Sequence, residues 1–165
     1  MTERKIRQKT ENTYQKIGGW LILCAIGLML YPVQTMVFLI TELIPALSPE
    51  NWSALTSPTS PYYHSFLAPL VIAELVGSIC FFIFSICLVI FFFQRRKYAP
   101  KLIIFFLTGN LIFVGFDYLV TTFIIIRPSS INMDATINFI RTTAAGLILI
   151  PYFIFSKRVG RTFVN

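Results

Sequence analysis

Five polar side chains stand where polar side chains are costly. Glu74, Asp117 and Arg141 each interrupt a long apolar run, Gln34 interrupts another, and Asn110 precedes Asp117 by seven residues. An ionisable group at membrane depth needs a partner or a task. Two acids and one arginine allow two kinds of chemistry. In the first, Asp117 neutralises Arg141, Glu74 or Gln34 completes the hydrogen bonds, and the set fixes helix register. In the second, the extra acid leaves one negative charge in a half-open cavity, which binds a proton, a cation or a small polar ligand. Helical spacing places Asp117 on a face with Asn110 and Thr121, Glu74 with Gly77, Ser78 and Phe81, and Arg141 with Asn138 and Ala145. The small residues beside Glu74 admit a neighbouring helix.

Other chemistries lack their residues. His64 is the only histidine, and no second His, Cys or acid is spaced to join it as a metal ligand. The three cysteines, Cys24, Cys80 and Cys87, all lie in apolar runs and read as small buried hydrophobes. The chain has no Cys-x-x-Cys, no Gly-rich phosphate loop, no His-Glu-x-x-His and no nucleophile motif. The expectation is a protein with no catalytic residue, no metal site and no cofactor.

The elements that must position the five groups follow from composition. The chain has 165 residues, of which 56% are hydrophobic and 13% charged. Soluble domains carry about 45–50% and about 25%. So few charges cannot solvate a compact globule, which excludes a soluble enzyme. An aromatic content of 16% excludes disorder. Four apolar runs cover about residues 17–41, 66–93, 102–126 and 133–155. The first is about 37 Å long as a helix, enough to span with some tilt and too long for a signal-peptide core. Pro32 is expected to kink it. The connection 42–65 is rich in Ser, Pro and Thr; Ser48-Pro49-Glu50 starts a short interfacial helix through Trp52 and Leu55. Asn132 or Asp134 caps the fourth run.

Measured from the nearer helix ends, Gln34, Glu74 and Arg141 lie about 12 Å deep and Asp117 about 15 Å. Each of the four helices thus brings one strongly polar group to nearly one level.

Orientation comes from the basic residues. The formal net charge is +7. Five basic residues lie in the N-terminal tail (Arg4, Lys5, Arg7, Lys9, Lys16), four between the second and third runs (Arg95, Arg96, Lys97, Lys101) and three after the fourth (Lys157, Arg158, Arg161). The remaining two are Arg127 and Arg141. The basic side is cytoplasmic, so both termini are expected inside. These residues also suit anionic lipid headgroups, with topology as their first role. Nothing in their placement calls for nucleic acid.

Several segments carry a family resemblance. They are Ile17-Gly18-Gly19-Trp20-Leu21, Lys97-Tyr98-Ala99-Pro100-Lys101-Leu102, Asp117-Tyr118, and the ending Ile150-Pro151-Tyr152-Phe153-Ile154-Phe155-Ser156-Lys157-Arg158-Val159 with Thr162-Phe163. Together they resemble the bacterial membrane-protein family catalogued as domain of unknown function 2569, with a departure at Gly160, where a lysine is expected. The resemblance covers nearly the whole chain. It implies a small multi-pass protein of the bacterial inner membrane and brings no catalytic residue.

The resulting expectation is an all-α integral membrane protein: a four-transmembrane-helix bundle, one membrane domain over residues 1–165, both termini cytoplasmic. Its favoured role is a non-enzymatic binding or accessory component of the bacterial envelope, with a membrane-protein partner or a second copy as its company. The alternative is a small transporter or proton- or cation-coupled permease using the intramembrane polar layer of Gln34, Glu74, Asn110, Asp117 and Arg141.

Overall fold

A computed structural model describes residues 19–61, 63–122 and 133–163. The N-terminal basic tail, the Ile17-Gly18 start, the end of the third run with Arg127-Pro128, and the Asn132 cap lie outside the described residues.

Among the described residues the secondary structure is helical, and four helices are long and apolar enough to cross a membrane. They are α1 (Trp20–Ala46), α3 (Leu67–Phe93), α4 (Ala99–Val120) and α5 (Met133–Phe155). Two short helices complete the chain, α2 (Pro49–Thr56) and α6 (Lys157–Thr162). Large hydrophobic side chains stay exposed along the flanks of all four long helices, among them Val33, Ile83, Ile112 and Leu147. A bundle so clothed has a face suited to lipid tails.

The helices depart from the apolar runs at their ends, for local reasons. α1 passes through Pro32 without a break. It then runs beyond Thr41 by way of a π-helical turn, Leu39–Leu43, to Ala46. That turn precedes Pro45, which has no N–H to give the carbonyl one turn back and whose ring crowds it; widening the helix relieves both. α2 starts where Ser48 and Pro49 place it, with Pro49 in the first turn and Glu50 beside it. The Ser48 hydroxyl makes no capping bond; instead Asn51 Nδ2 donates to the Pro45 carbonyl at 3.0 Å.

α4 begins three residues before the expected start, taking Pro100 into its first turn, where a missing N–H costs nothing. The connection from α3 is correspondingly tight. Arg95 adopts φ 54°, and the Arg95 and Arg96 N–H groups donate to the Phe92 and Phe91 carbonyls at 3.1 and 3.2 Å. This is a Schellman ending with arginine at the left-handed position that usually takes glycine.

The second helix pair shows the packing logic best. α3 and α4 run antiparallel in steady register: Glu74 meets Asp117, Gly77 meets Phe113, Phe81 meets Gly109 and Phe84 meets Phe106. A Cβ on Gly77 would overlap the Phe113 ring, so the absence of a side chain there sets the closeness of the two helices. α1 packs on α3, and α5 packs on α4.

One end of the bundle is closed. Leu21, Cys24, Leu88, Phe92, Ala99, Ile103, Phe106 and Phe153 form its core. α6 folds back beneath them, burying Val159, Thr162 and Phe163, and the Phe163 and Phe92 rings meet edge-on at 5.3 Å. The tail 156–165 gave no helical expectation, yet its apolar residues at 159 and 163 are one turn apart. Of the cysteines only Cys24 is buried; Cys80 and Cys87 are exposed, a correction to their reading as core residues. They lie seven apart on the side of α3 turned away from its neighbours, and their apolar surroundings in sequence say nothing of that direction.

Candidate functional site

The other end of the bundle is open. α1 and α5 lack the close backbone packing that joins the three sequential helix pairs, and a cavity of about 1170 Å³ lies between the four long helices. Gln34, Glu74, Asn110, Asp117 and Arg141 all line it. All five groups thus border one cavity. Which groups touch is different.

Asp117 turns to α3. Its carboxyl is the electrostatic neighbour of the Glu74 carboxyl. Asp117 Oδ1 is buried and no donor reaches it. Carboxylates only accept, so a hydrogen bond between these two groups needs a proton held by one of them. Arg141 is exposed to the cavity on the α5 wall and forms no ion pair with any described side chain. The expected Asp117–Arg141 pair is thus corrected to a Glu74–Asp117 pair with Arg141 apart. The cause is azimuth. α4 and α5 are neighbours, but α4 meets α5 through Leu111, Gly115 and Tyr118, with the Tyr118 and Phe139 rings stacked at 4.8 Å. The face carrying Phe106, Asn110, Phe113 and Asp117 goes to α1 and α3 instead.

A second polar link crosses the cavity. The Tyr31 hydroxyl on α1 donates to Asn110 Oδ1 on α4 at 2.9 Å. The Tyr31 ring rests edge-on against Phe106 at 4.9 Å, Phe106 against Phe81 at 5.7 Å, and Phe81 lies 5.5 Å from Phe113. This lattice of rings crosses the bundle partway along the cavity, whose lining continues past it to Cys24, Phe92 and Phe153 of the core. Gln34 lies one turn along from Tyr31, exposed to the cavity.

Tyr31, Thr35, Glu42 and Thr142 also line the cavity and escaped the reading of the sequence, whereas Ser78 was placed beside Glu74 by its spacing. A signal existed for α1: Tyr31, Gln34, Thr35 and Glu42 recur at helical spacing and form one polar stripe. Thr143 Oγ1 is buried without a hydrogen-bond partner, and nothing in the structure explains it. His64 sits apart from the cavity lining; its Nδ1 accepts from the Phe66 N–H at 3.4 Å. Among the described residues no three His, Cys, Asp or Glu side chains gather as a metal centre would require.

A family model described as "Protein of unknown function (DUF2569)" matches residues 14–164. Neither a curated protein nor a solved structure matches the chain.

Proposed function

The chain belongs to that family of proteins of unknown function, and from this premise we propose that it is a non-enzymatic binding protein of the bacterial inner membrane. Both termini face the cytoplasm, where the basic residues of the tails and of the Gln94–Tyr98 turn meet anionic headgroups. Its working part is the intramembrane cavity, which takes a small ligand and serves a membrane-protein partner or a second copy.

The observation that carries this reading is the polar layer inside the cavity. Glu74, Asp117 and Arg141 all line the cavity at membrane depth, and no described carboxylate forms an ion pair with Arg141. A group left so is costly, and a bound ligand is what offsets the cost. The apolar walls and the few convergent polar groups match the usual make-up of a ligand pocket.

One feature favours a second reading. The Glu74–Asp117 carboxyl pair is also what a proton-coupled permease would use. Reconstitution separates the two. Purified protein in liposomes is expected to hold a ligand or partner through purification and to dissipate neither a proton gradient nor a sodium gradient. Gradient-driven flux that disappears in Glu74→Gln, with the fold intact, makes the protein a transporter and overturns the binding reading.

A further inference from the structure

The charged groups of the cavity sit on different walls, and beside the carboxyl pair and Arg141 the cavity takes in the exposed Glu42 of α1. The carboxyl pair belongs to α3 and α4, and Arg141 belongs to α5. The carboxyl pair presents negative charge on its wall, and Arg141 presents positive charge on the other. The cavity therefore presents minus and plus, separated, within one enclosure of low polarity.

The remaining walls are hydrocarbon. Leu23, Ile26 and Leu30 of α1 and Ile148 of α5 line the cavity and are also exposed at the bundle flank. The seam between α1 and α5 is thus a lateral opening, walled by aliphatic side chains on both sides. A ligand that entered there would have an apolar part to leave along the seam and a polar part to seat within.

We propose that the cavity binds a zwitterionic amphiphile: its ammonium on the Glu74–Asp117 pair, its phosphate or carboxylate on Arg141, and its acyl or alkyl chain in the seam between α1 and α5. This rests on the binding reading above and names the ligand class. A ligand with one charge satisfies one wall and leaves the other uncompensated at membrane depth, which is the physical basis of the selectivity. The guanidinium suits an oxyanion because its planar fork gives two parallel donors.

The test is native mass spectrometry of the full chain in a neutral maltoside, titrated with three probes of equal chain length. They are lysophosphatidylethanolamine, lysophosphatidylglycerol and an alkyltrimethylammonium. The expected result is one bound lysophosphatidylethanolamine per chain, at least tenfold tighter than either singly charged probe. Arg141→Gln should bring its affinity down to that of the alkylammonium. Glu74→Gln combined with Asp117→Asn should bring it down to that of lysophosphatidylglycerol. Should a variant fail to fold, the ranking of the three probes on the unaltered protein still decides. Glycerophosphoethanolamine, which has no chain, separates the sources: displacement by it means a water-soluble zwitterion is the ligand, and no displacement means one drawn from the bilayer. Equal binding of a singly charged probe, or a ranking unchanged by Arg141→Gln, overturns the zwitterion while leaving a ligand cavity. Stoichiometric binding of none of the probes overturns the zwitterion, and if no endogenous ligand or partner survives purification either, the binding reading falls with it.

Discussion

The two ends of the bundle are built from the same helices on opposite principles. At the α6 end, side chains fill the space: Leu21, Leu88, Phe92 and Ala99 are each 0% exposed, and a returning helix covers them. Towards the α2 end the cavity carries its carboxyl, amide, hydroxyl and guanidinium groups, while its apolar lining continues down to Phe92 and Phe153. The ring lattice of Tyr31, Phe81, Phe106 and Phe113 lies between the polar layer and the filled core. The difference teaches where stability and function reside. Close packing supplies dispersion contacts that a membrane offers no hydrophobic effect to replace. An open polar end forgoes those contacts, and its shape is held from below by the closed one.

That comparison can be broken or sharpened by substitution, read as melting temperature and unfolding free energy in detergent. Phe92→Ala should have the largest effect. It empties a fully buried aromatic site against Phe163 and should cost about 3–5 kcal/mol. A mild loss there would mean the α6 end is not the stabilising one.

Gly77→Val tests the lattice on the side of α3. Its new side chain meets the Phe113 ring, and the expected cost is about 1–3 kcal/mol from overpacking. Phe113→Leu in the same chain should recover part of that loss, since the two sites are in contact. Additive losses would place the strain elsewhere.

Tyr31→Phe keeps the ring against Phe106 and removes only the hydroxyl donated to Asn110. About 1 kcal/mol is expected, because one hydrogen bond is lost and the amide oxygen can take a cavity water instead. An Asn110→Ala variant should lose a similar amount, and the pair together little more than either.

No loss is expected at Arg141→Gln, which should leave stability unchanged or raise it, since no described side chain pairs with the guanidinium and its charge at membrane depth is removed. A loss of several kcal/mol would restore the ion pair with Asp117 that matched depth alone predicts. This substitution therefore measures how far function, rather than folding, owns the open end.

Much of this was legible in the residues. Four charge-free runs bounded by basic or polar segments demand four helices, because a backbone in hydrocarbon must satisfy its own hydrogen bonds. The Met133–Phe155 helix and the Pro49 start of α2 stand where those local signals put them. The rise of 1.5 Å per residue brings Gln34, Glu74, Asn110, Asp117 and Arg141 to one cavity, and depth is a one-dimensional quantity that counting residues supplies. The Gly77–Ser78 face beside Glu74 likewise announced a close neighbour, which is α4.

Tertiary structure alone decided which of these groups touch. Two residues at one level on adjacent helices meet only if both helices are turned toward each other, and that rotation is set by every contact along their length. Phe139 stacking on Tyr118 and Leu111 lying against Gly146 lock α4 on α5 by one face, which commits Asp117 to Glu74 on the other. The same holds for α6: its residues are few and mostly polar or basic, and only the exposed underside of Phe92 gives Val159 and Phe163 something to bury against. Local sequence determined the elements and their depths because those depend on backbone hydrogen bonding and hydrophobicity. Azimuth, pairing and the cavity itself belong to the packed bundle, because they depend on shape complementarity between segments distant in the chain.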